Sequence, residues 1–269
     1  MKISFIGGGN MACALIGGLI AQGWEAGDIG VVELDPAKRQ QLQADFGVAV
    51  SDQLPSVAMA DIVVLAVKPQ QLRDIAIFLG SLLRNQLVVS IAAGIRSGDL
   101  IRWLGGYDAV IRVMPNTPAQ IRCGVSAMFA SPGASEEQCG QAENILGAVG
   151  STVWLDEEAQ MDAVTAVSGS GPAYVFYFIE AMQQAALELG LSSQQARDLS
   201  LQTFLGASQL ASQSTESPDV LRAQVTSKGG TTERALLSME TAGIKNAIVQ
   251  ALHAAAERSR EMGDLLGKD

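Results

Sequence analysis

A turn of three consecutive glycines near the start of the chain constrains the fold more than any other feature. Gly7-Gly8-Gly9 separates the β-rich run KISFIG (2–7) from MACALIGGLIAQG (11–23), whose apolar residues recur with helical spacing. Glycines at such a turn let the backbone approach a ligand closely, and the free N–H groups of the following helix attract a phosphate. The pattern G-x-G-x-x-A, with Ala12 at the third position, therefore predicts a dinucleotide-binding βαβ unit.

The first 155 residues alternate between strand-like and helix-like segments. Further strands are predicted at 28–34, 61–69, 86–94, 109–118, 124–130 and 151–155, and helices at 35–47 and about 135–148. This alternation indicates parallel pairing with crossover connections, and the continuous Val, Ile and Leu runs indicate a sheet that is covered on both faces. Residues 1–155 are thus predicted to form an α/β domain, a doubly wound Rossmann-type sheet.

The remaining residues, 156–269, are predicted to form an all-helical domain for substrate binding and dimerisation. Helices are expected at about 156–167, 172–189, 193–212, 218–225, 231–241 and 244–265. Ser192 and Gln195 have capping-box spacing, and Gly190 and Gly243 stand where helices should end.

The segment AYVFYFI (173–179) is apolar on every side of a helix, so it must be buried all round. The helical half is too small to surround it within one chain. We therefore predict an intertwined dimer, with a central helix in a monomeric bundle as the alternative.

The end of the second predicted strand bears on the choice of nucleotide. Glu33 stands where an acid would hydrogen-bond a ribose 2′-hydroxyl, and Asp35 could do the same. Lys38 and Arg39 lie close enough in sequence to meet a 2′-phosphate, or they are solvated helix residues. The residues alone favour neither NAD nor NADP.

Three other strand ends carry residues that could line the nicotinamide and its ribose. Lys68 follows the strand LAV, Ala93 belongs to the small-residue stretch SIAAG, and Asn116 and Thr117 lie in a Pro-rich turn. Alternatively, Lys68 is a surface charge and Asn116 only forms the turn.

A second glycine-rich loop precedes the predicted helix at 231–241. Gly229-Gly230, flanked by Lys228 and by Thr231-Thr232, could seat a small carboxylate on the N–H groups of that helix. The alternative is a glycine hinge followed by a Thr cap. SGSGP (168–172) is another glycine-rich helix start, which could contact substrate or pack at a dimer axis.

Composition excludes several function classes. A net charge of −10 over 269 residues argues against nucleic acid as a partner. Cys13, Cys123 and Cys139 have no metal-ligand spacing and are odd in number, which indicates buried, reduced thiols in a cytoplasmic protein and no metal site. We see no signal peptide and no apolar run long enough to span a membrane.

Taken together, FIGGGNMA, LAVKPQ, AAG, RVMPNTP, DAVTAVSGSGPAY and TSKGGTTERAL make the chain resemble the pyrroline-5-carboxylate reductase family over essentially its whole length. The resemblance implies reduction of 1-pyrroline-5-carboxylate to L-proline, a Rossmann-type domain, and a helical domain that forms dimers or rings of dimers. It implies NADPH as coenzyme, with NADH as the alternative. The family commonly has Asn or Ser, with Arg or Pro, around the ELD stretch (33–35), so the acid here departs from that pattern.

The resemblance also implies roles for particular residues. Thr232 is expected beside the imine nitrogen. The residues expected to hold the coenzyme are Gly7, Gly8, Gly9, Asn10, Met11, Ala66, Val67, Lys68 and Pro69. Those expected to hold the substrate are Ser227, Lys228, Gly229, Gly230, Thr231 and Thr232.

Two other functions remain open from the residues alone. A β-hydroxyacid dehydrogenase would need an acid–base lysine, for which Lys245 is the only counterpart, and a non-catalytic nucleotide sensor would need no carboxylate-binding loop. The single histidine, His253, is predicted to be a helix residue without a catalytic role.

Overall fold

A computed structural model of the protein describes residues 1–268. Its eight strands are β1 (Ile3–Ile6), β2 (Ile29–Val32), β3 (Ala49–Ser51), β4 (Ile62–Leu65), β5 (Leu87–Ser90), β6 (Val110–Met114), β7 (Gly124–Ala130) and β8 (Gly150–Trp154). They form one sheet in the order β3-β2-β1-β4-β5-β6-β7-β8. The predicted doubly wound sheet is confirmed.

One pairing differs from the expected parallel arrangement, because β7 runs antiparallel to β6 while every other neighbouring pair is parallel. The connection from Met114 to Gly124 is too short for a crossover, which takes about a dozen or more residues. The chain therefore turns back beside β6, and parallel pairing resumes at β8.

The central strands are buried on both faces of the sheet. On β4, Ile62 and Val64 contribute to one hydrophobic cluster, whereas Val63 and Leu65 contribute to the cluster on the opposite face. This follows from the alternation of side chains along a strand and explains the uninterrupted apolar sequence.

Six helices accompany this sheet. They are α1 (Asn10–Ala21), α2 (Pro36–Phe46), α3 (Pro69–Gly80), α4 (Ser97–Trp103), α5 (Glu136–Gly147) and α6 (Gln160–Val164). Asp35, which is followed by Pro36, caps α2: its carboxylate accepts hydrogen bonds from the N–H groups of Ala37 and Lys38. Sequence patterns did not identify β3, α3 or α4. The first has only three residues, too few to establish a period.

The chain divides into two compact units, Met1–Ser170 with Ala255–Asp269, and Gly171–Ala254. The domain boundary at residue 155 stays a prediction. Two acids bind the stretch of chain after it to the first unit. Glu158 accepts hydrogen bonds from the Ser97 backbone and hydroxyl, and Asp162 accepts one from the Ser259 hydroxyl at 2.6 Å. In this stretch α6 continues into a π-helical turn, Thr165–Gly169.

The second unit is entirely helical. It contains α7 (Gly171–Glu188), α8 (Ser193–Gln213), α9 (Pro218–Gln224), α10 (Thr231–Thr241) and the first half of α11 (Ile244–Leu266). The predicted capping box is confirmed, since Ser192 Oγ accepts from the Gln195 N–H and Gln195 Oε1 accepts from the Ser192 N–H.

The apolar helix α7 is largely uncovered within the chain. Phe176 is 65% exposed and Tyr177 is 70% exposed. The burial expected for this segment is therefore not supplied by its own chain.

The cysteines are only partly as expected. All three are free, but Cys13 and Cys139 are half-buried and Cys123 is exposed. Burial, followed by the nearby Asp45 carboxylate, raises the pKa of the Cys13 thiol. Within residues 1–268, none of the helices has the length and hydropathy needed to cross a bilayer.

Candidate functional site

The glycine turn follows β1 and contacts the carboxyl ends of β2 and β4. Gly7 has a φ of +99°, and a Cβ built on it would lie 2.6 Å from the carbonyl oxygen of Ala66. Its N–H donates to Val32 O at 2.8 Å. Both the positive φ and the contact with the backbone after β4 therefore require glycine at this position.

The turn leaves the start of α1 open. Gly9 occupies the N-cap position, α1 begins at Asn10, and no side chain caps the helix. A Cβ on Gly9 would meet nothing within 4 Å. The unpaired N–H groups of the first helical turn are thus available to an anion, which their partial positive charge favours.

A cleft of about 540 Å³ lies over this turn, at the carboxyl ends of β1, β2 and β4. It brings together seven of the residues predicted to hold a dinucleotide. These are Gly7, Gly8, Gly9, Glu33, Ala66, Val67 and Lys68. Leu54 and Ile75 add apolar surface to its wall, so the cleft combines a wide apolar wall with an anion-binding helix start.

Glu33 is held in one place by the backbone around it. Its Oε2 accepts a hydrogen bond from the Gly8 N–H at 2.9 Å, and its Oε1 accepts one from the Asp35 N–H at 3.0 Å. Burial on its own would raise the pKa of Glu33, but the Asp35 and Gly8 donors, together with the nearby Lys38 charge and the Leu34 backbone, lower the pKa below its ordinary value. A fixed, ionised carboxylate therefore lies at the end of β2.

The other predicted coenzyme residues do not line this cleft. Ala93 lines a separate cavity of about 190 Å³ with Thr165 and Ser170, and Asn10 lines a groove on the other side of α1. Pro69 is the first residue of α3, and Met11 is half-buried in α1.

Asn116 is buried and both ends of its amide are engaged. Its Oδ1 accepts from the Val125 N–H at 2.9 Å, and its Nδ2 donates to the carbonyl oxygen of Ser168 at 3.2 Å. This arrangement favours the turn-forming interpretation. It also places the π-helical turn Thr165–Gly169 next to the β6–β7 connection.

The second glycine-rich loop leads directly into α10. Gly229 has a φ of +73°, and Gly230 occupies the N-cap position of α10 without a side-chain cap. Lys228 and Thr232 are exposed beside it. Sequence patterns missed Glu233, whose Oε2 accepts the Gly229 N–H at 2.7 Å and holds the loop against its own helix.

Sequence patterns also missed a second acid, Asp52 in the first unit. Asp52 lines the cleft directly after β3. Recognising β3 would have placed Asp52 at the same edge of the sheet as Glu33, because carboxyl ends of parallel strands share an edge.

Comparison with known proteins decides the family. Residues 158–262 match the family profile described as pyrroline-5-carboxylate reductase dimerisation, and residues 2–94 match the one described as NADP oxidoreductase, coenzyme F420-dependent. A pyrroline-5-carboxylate reductase from Pseudomonas aeruginosa is 48% identical over 269 residues, covering 99% of this chain and 98% of that protein. The chain belongs to the pyrroline-5-carboxylate reductase family.

Solved structures of the family have the same fold. A pyrroline-5-carboxylate reductase from Coxiella burnetii is 39% identical, covers 97% of this chain and 98% of its own, and has a TM-score of 0.92. The Plasmodium falciparum pyrroline carboxylate reductase, solved with NADP bound, is 28% identical with a TM-score of 0.88 and covers 98% of each chain. A prephenate dehydrogenase at 13% identity and a TM-score of 0.57 shares the fold alone.

The residues named for the alternative functions, Lys245 and His253, both lie on the surface of α11. Lys245 is exposed in the first turn of α11, and His253 is exposed further along the same helix. Among residues 1–268 no group of three or more His, Cys, Asp and Glu side chains could hold a metal ion. Lys245 therefore has the surroundings of a surface charge.

Proposed function

We infer that this chain reduces the C=N bond of 1-pyrroline-5-carboxylate with NAD(P)H to give L-proline, the last step of proline biosynthesis. The observation that carries the inference is the 48% identity to a pyrroline-5-carboxylate reductase across nearly the full length of both proteins. The two glycine-rich helix starts support the inference, because the uncapped N–H groups of α1 and α10 could bind a dinucleotide pyrophosphate and a small carboxylate.

The coenzyme pyrophosphate is proposed to lie on the turn from Gly7 to Met11. The support is the uncapped start of α1 and the open space at Gly9, where a side chain would occupy the approach. The stretch Ala66–Pro69 and Ala93 are proposed to contact the nicotinamide and its ribose. When bound, the reduced nicotinamide supplies the hydride that reaches the imine carbon.

The substrate carboxylate is proposed to bind the loop Ser227–Thr232, because Lys228 and the uncapped N–H groups at the start of α10 attract an anion. Thr232 is the proposed catalytic residue, since its hydroxyl can hydrogen-bond the imine nitrogen without transferring a full charge. A substrate that arrives protonated on nitrogen needs orientation above all, and orientation can supply ~7–11 kcal/mol of the barrier. This assignment uses no strong general acid.

Steady-state kinetics with 1-pyrroline-5-carboxylate, run in parallel with NADPH and NADH, tests the activity. Replacing Thr232 with Ala should lower kcat/KM for the imine at least about tenfold, equivalent to ~1.4 kcal/mol of transition-state stabilisation. Thr232→Ser should retain most of the activity because it keeps the hydroxyl. Thr241→Ala is a matched control on α10, since that hydroxyl only donates to Leu237 O.

No formation of proline with either coenzyme would refute the function. Full turnover by Thr232→Ala would remove only the role of Thr232.

The chain is also proposed to work as a homodimer, or as a ring of dimers, through the helical unit. The exposed apolar side chains of α7 and the dimerisation profile over 158–262 support this. Light scattering should give at least twice the mass of one chain, and Phe176→Glu should shift the distribution toward monomer. A wild-type protein that is monomeric at micromolar concentration would contradict the proposal.

The proposed location is the cytoplasm, which the three free cysteines support.

A further inference from the structure

The cleft end that would receive the adenosine ribose carries an excess of negative charge. Three carboxylates line it, those of Glu33, Asp35 and Asp52. Lys38 lines the same end, and Lys68 lines the cleft beside β4. A 2′-phosphate distinguishes NADPH from NADH, and it would enter this environment with a charge of its own sign.

Arg39, the residue best suited to bind a 2′-phosphate, is engaged elsewhere. Its Nη1 donates to the carbonyl oxygens of Glu33 at 2.6 Å and Leu34 at 2.9 Å. Its Nη2 lies 3.6 Å from Asp52 Oδ2. The guanidinium therefore holds the β2–α2 connection in shape, and releasing it for a phosphate would break these contacts.

The start of α2 is also closed to an anion. Asp35 Oδ1 accepts hydrogen bonds from the Ala37 N–H at 2.9 Å and the Lys38 N–H at 3.4 Å. These are the N–H groups that a phosphate at a helix start would use. The Asp35 carboxylate already occupies the position that a phosphate would take.

Glu33 cannot move aside for a phosphate at low cost. Both carboxylate oxygens accept backbone N–H groups, and one of these belongs to Gly8 in the glycine turn. Each oxygen has further acceptor capacity, so the carboxylate can also accept hydrogen bonds from ribose hydroxyls. The same group is therefore attractive to a free ribose and repulsive to a phosphorylated one.

We propose that Glu33 makes this chain select NADH over NADPH. The proposal rests on the proposed coenzyme site in the cleft. A fixed carboxylate at the end of the second strand hydrogen-bonds the ribose 2′-hydroxyl and repels a 2′-phosphate. Arg39, bonded to two backbone carbonyl oxygens, does not offset that repulsion. We expect kcat/KM to favour NADH by about tenfold or more, and the preference to shrink as ionic strength rises.

The test compares wild type with Glu33→Gln and Glu33→Ser. Both variants should shift the NADH-to-NADPH ratio of kcat/KM by at least about tenfold toward NADPH, because they remove the charge that repels the phosphate. Glu25→Gln is the matched control. It removes an equal charge at the opposite end of β2, and it should leave the ratio unchanged.

Calorimetry gives a readout that does not depend on turnover. Wild type should bind ADP-ribose more tightly than its 2′-phosphorylated form, and Glu33→Gln should reverse or remove the difference. Glu33→Gln keeps the shape of the side chain, and its binding of ADP-ribose shows whether the variant is folded.

The outcomes separate the two proposals. Reduction of the imine with NADPH favoured in wild type, or a ratio that Glu33→Gln leaves unchanged, overturns the role of Glu33 and leaves the reductase activity standing. Absence of imine reduction with either coenzyme overturns the proposed function. Selective binding of ADP-ribose would still support Glu33 in that case.

Discussion

Removing Glu158 should destabilise the first unit more than removing any exposed acid. Its Oε1 lies 2.8 Å from Arg112 Nη1 and 2.6 Å from the Ser97 N–H, and its Oε2 lies 2.5 Å from Ser97 Oγ. The Arg112 side chain is 8% exposed and that of Glu158 is 23% exposed. Glu158→Ala leaves a guanidinium and two further donors without this partner.

The size of the effect follows from burial. Breaking a buried ion pair by removing one partner costs about 3–5 kcal/mol, and the partial exposure of Glu158 favours the lower end, about 3 kcal/mol. Asp264→Ala is a matched control in the same unit. It breaks the ion pair with Arg96. The side chains of Arg96 and Asp264 are 40% and 59% exposed, and such exposed pairs contribute about 0–1 kcal/mol to stability.

Urea unfolding followed by tryptophan fluorescence measures both variants. Trp24, Trp103 and Trp154 all lie in the first unit, so the signal reports on that unit alone. We expect a lower midpoint for Glu158→Ala with an unchanged slope. A double variant, Arg112→Met with Glu158→Leu, should recover much of the loss, since it leaves no unpaired charge.

The reasoning is refuted if Glu158→Ala loses no more free energy of unfolding than Asp264→Ala. It is equally refuted if the double variant is less stable than Glu158→Ala, because the cost would then come from lost packing and not from an unpaired charge.

Two further predictions concern pH and the glycine turn. Burial opposes ionisation of Glu158, but the Ser97 and Arg112 donors lower its pKa below the ordinary value of an unfolded glutamate. Its contribution to stability is therefore complete above that ordinary pKa and is lost as pH falls through the folded pKa. The unfolding free energies of wild type and Glu158→Ala should therefore converge in acid, and a constant difference would contradict this. Gly7→Ala should lower stability because its Cβ would meet Ala66 O at 2.6 Å, whereas Gly9→Ala should leave stability nearly unchanged and weaken coenzyme binding. Urea midpoints and calorimetry separate the two, and unchanged coenzyme affinity in Gly9→Ala would count against a pyrophosphate there.

Some elements follow from sequence because their causes are local. The capping of α2 by Asp35 and the reciprocal cap of Ser192 and Gln195 involve residues two or three apart. The glycine turn is equally local, since it needs only a strand, flexible residues and a helix in succession. Short sequence motifs are typical of these elements for the same reason.

What only the tertiary structure decided depends on residues that are distant in the chain. The sequence determined a dinucleotide turn followed by an acid at residue 33, but the Gly8 N–H on that acid and the withdrawal of Arg39 into the β2–α2 connection required the folded backbone. The reversal of β7 and the binding of Glu158 to Ser97 are of the same kind. Propensity and periodicity act over a few residues, whereas these contacts depend on where separate elements meet, and the packing of the whole sheet determines that.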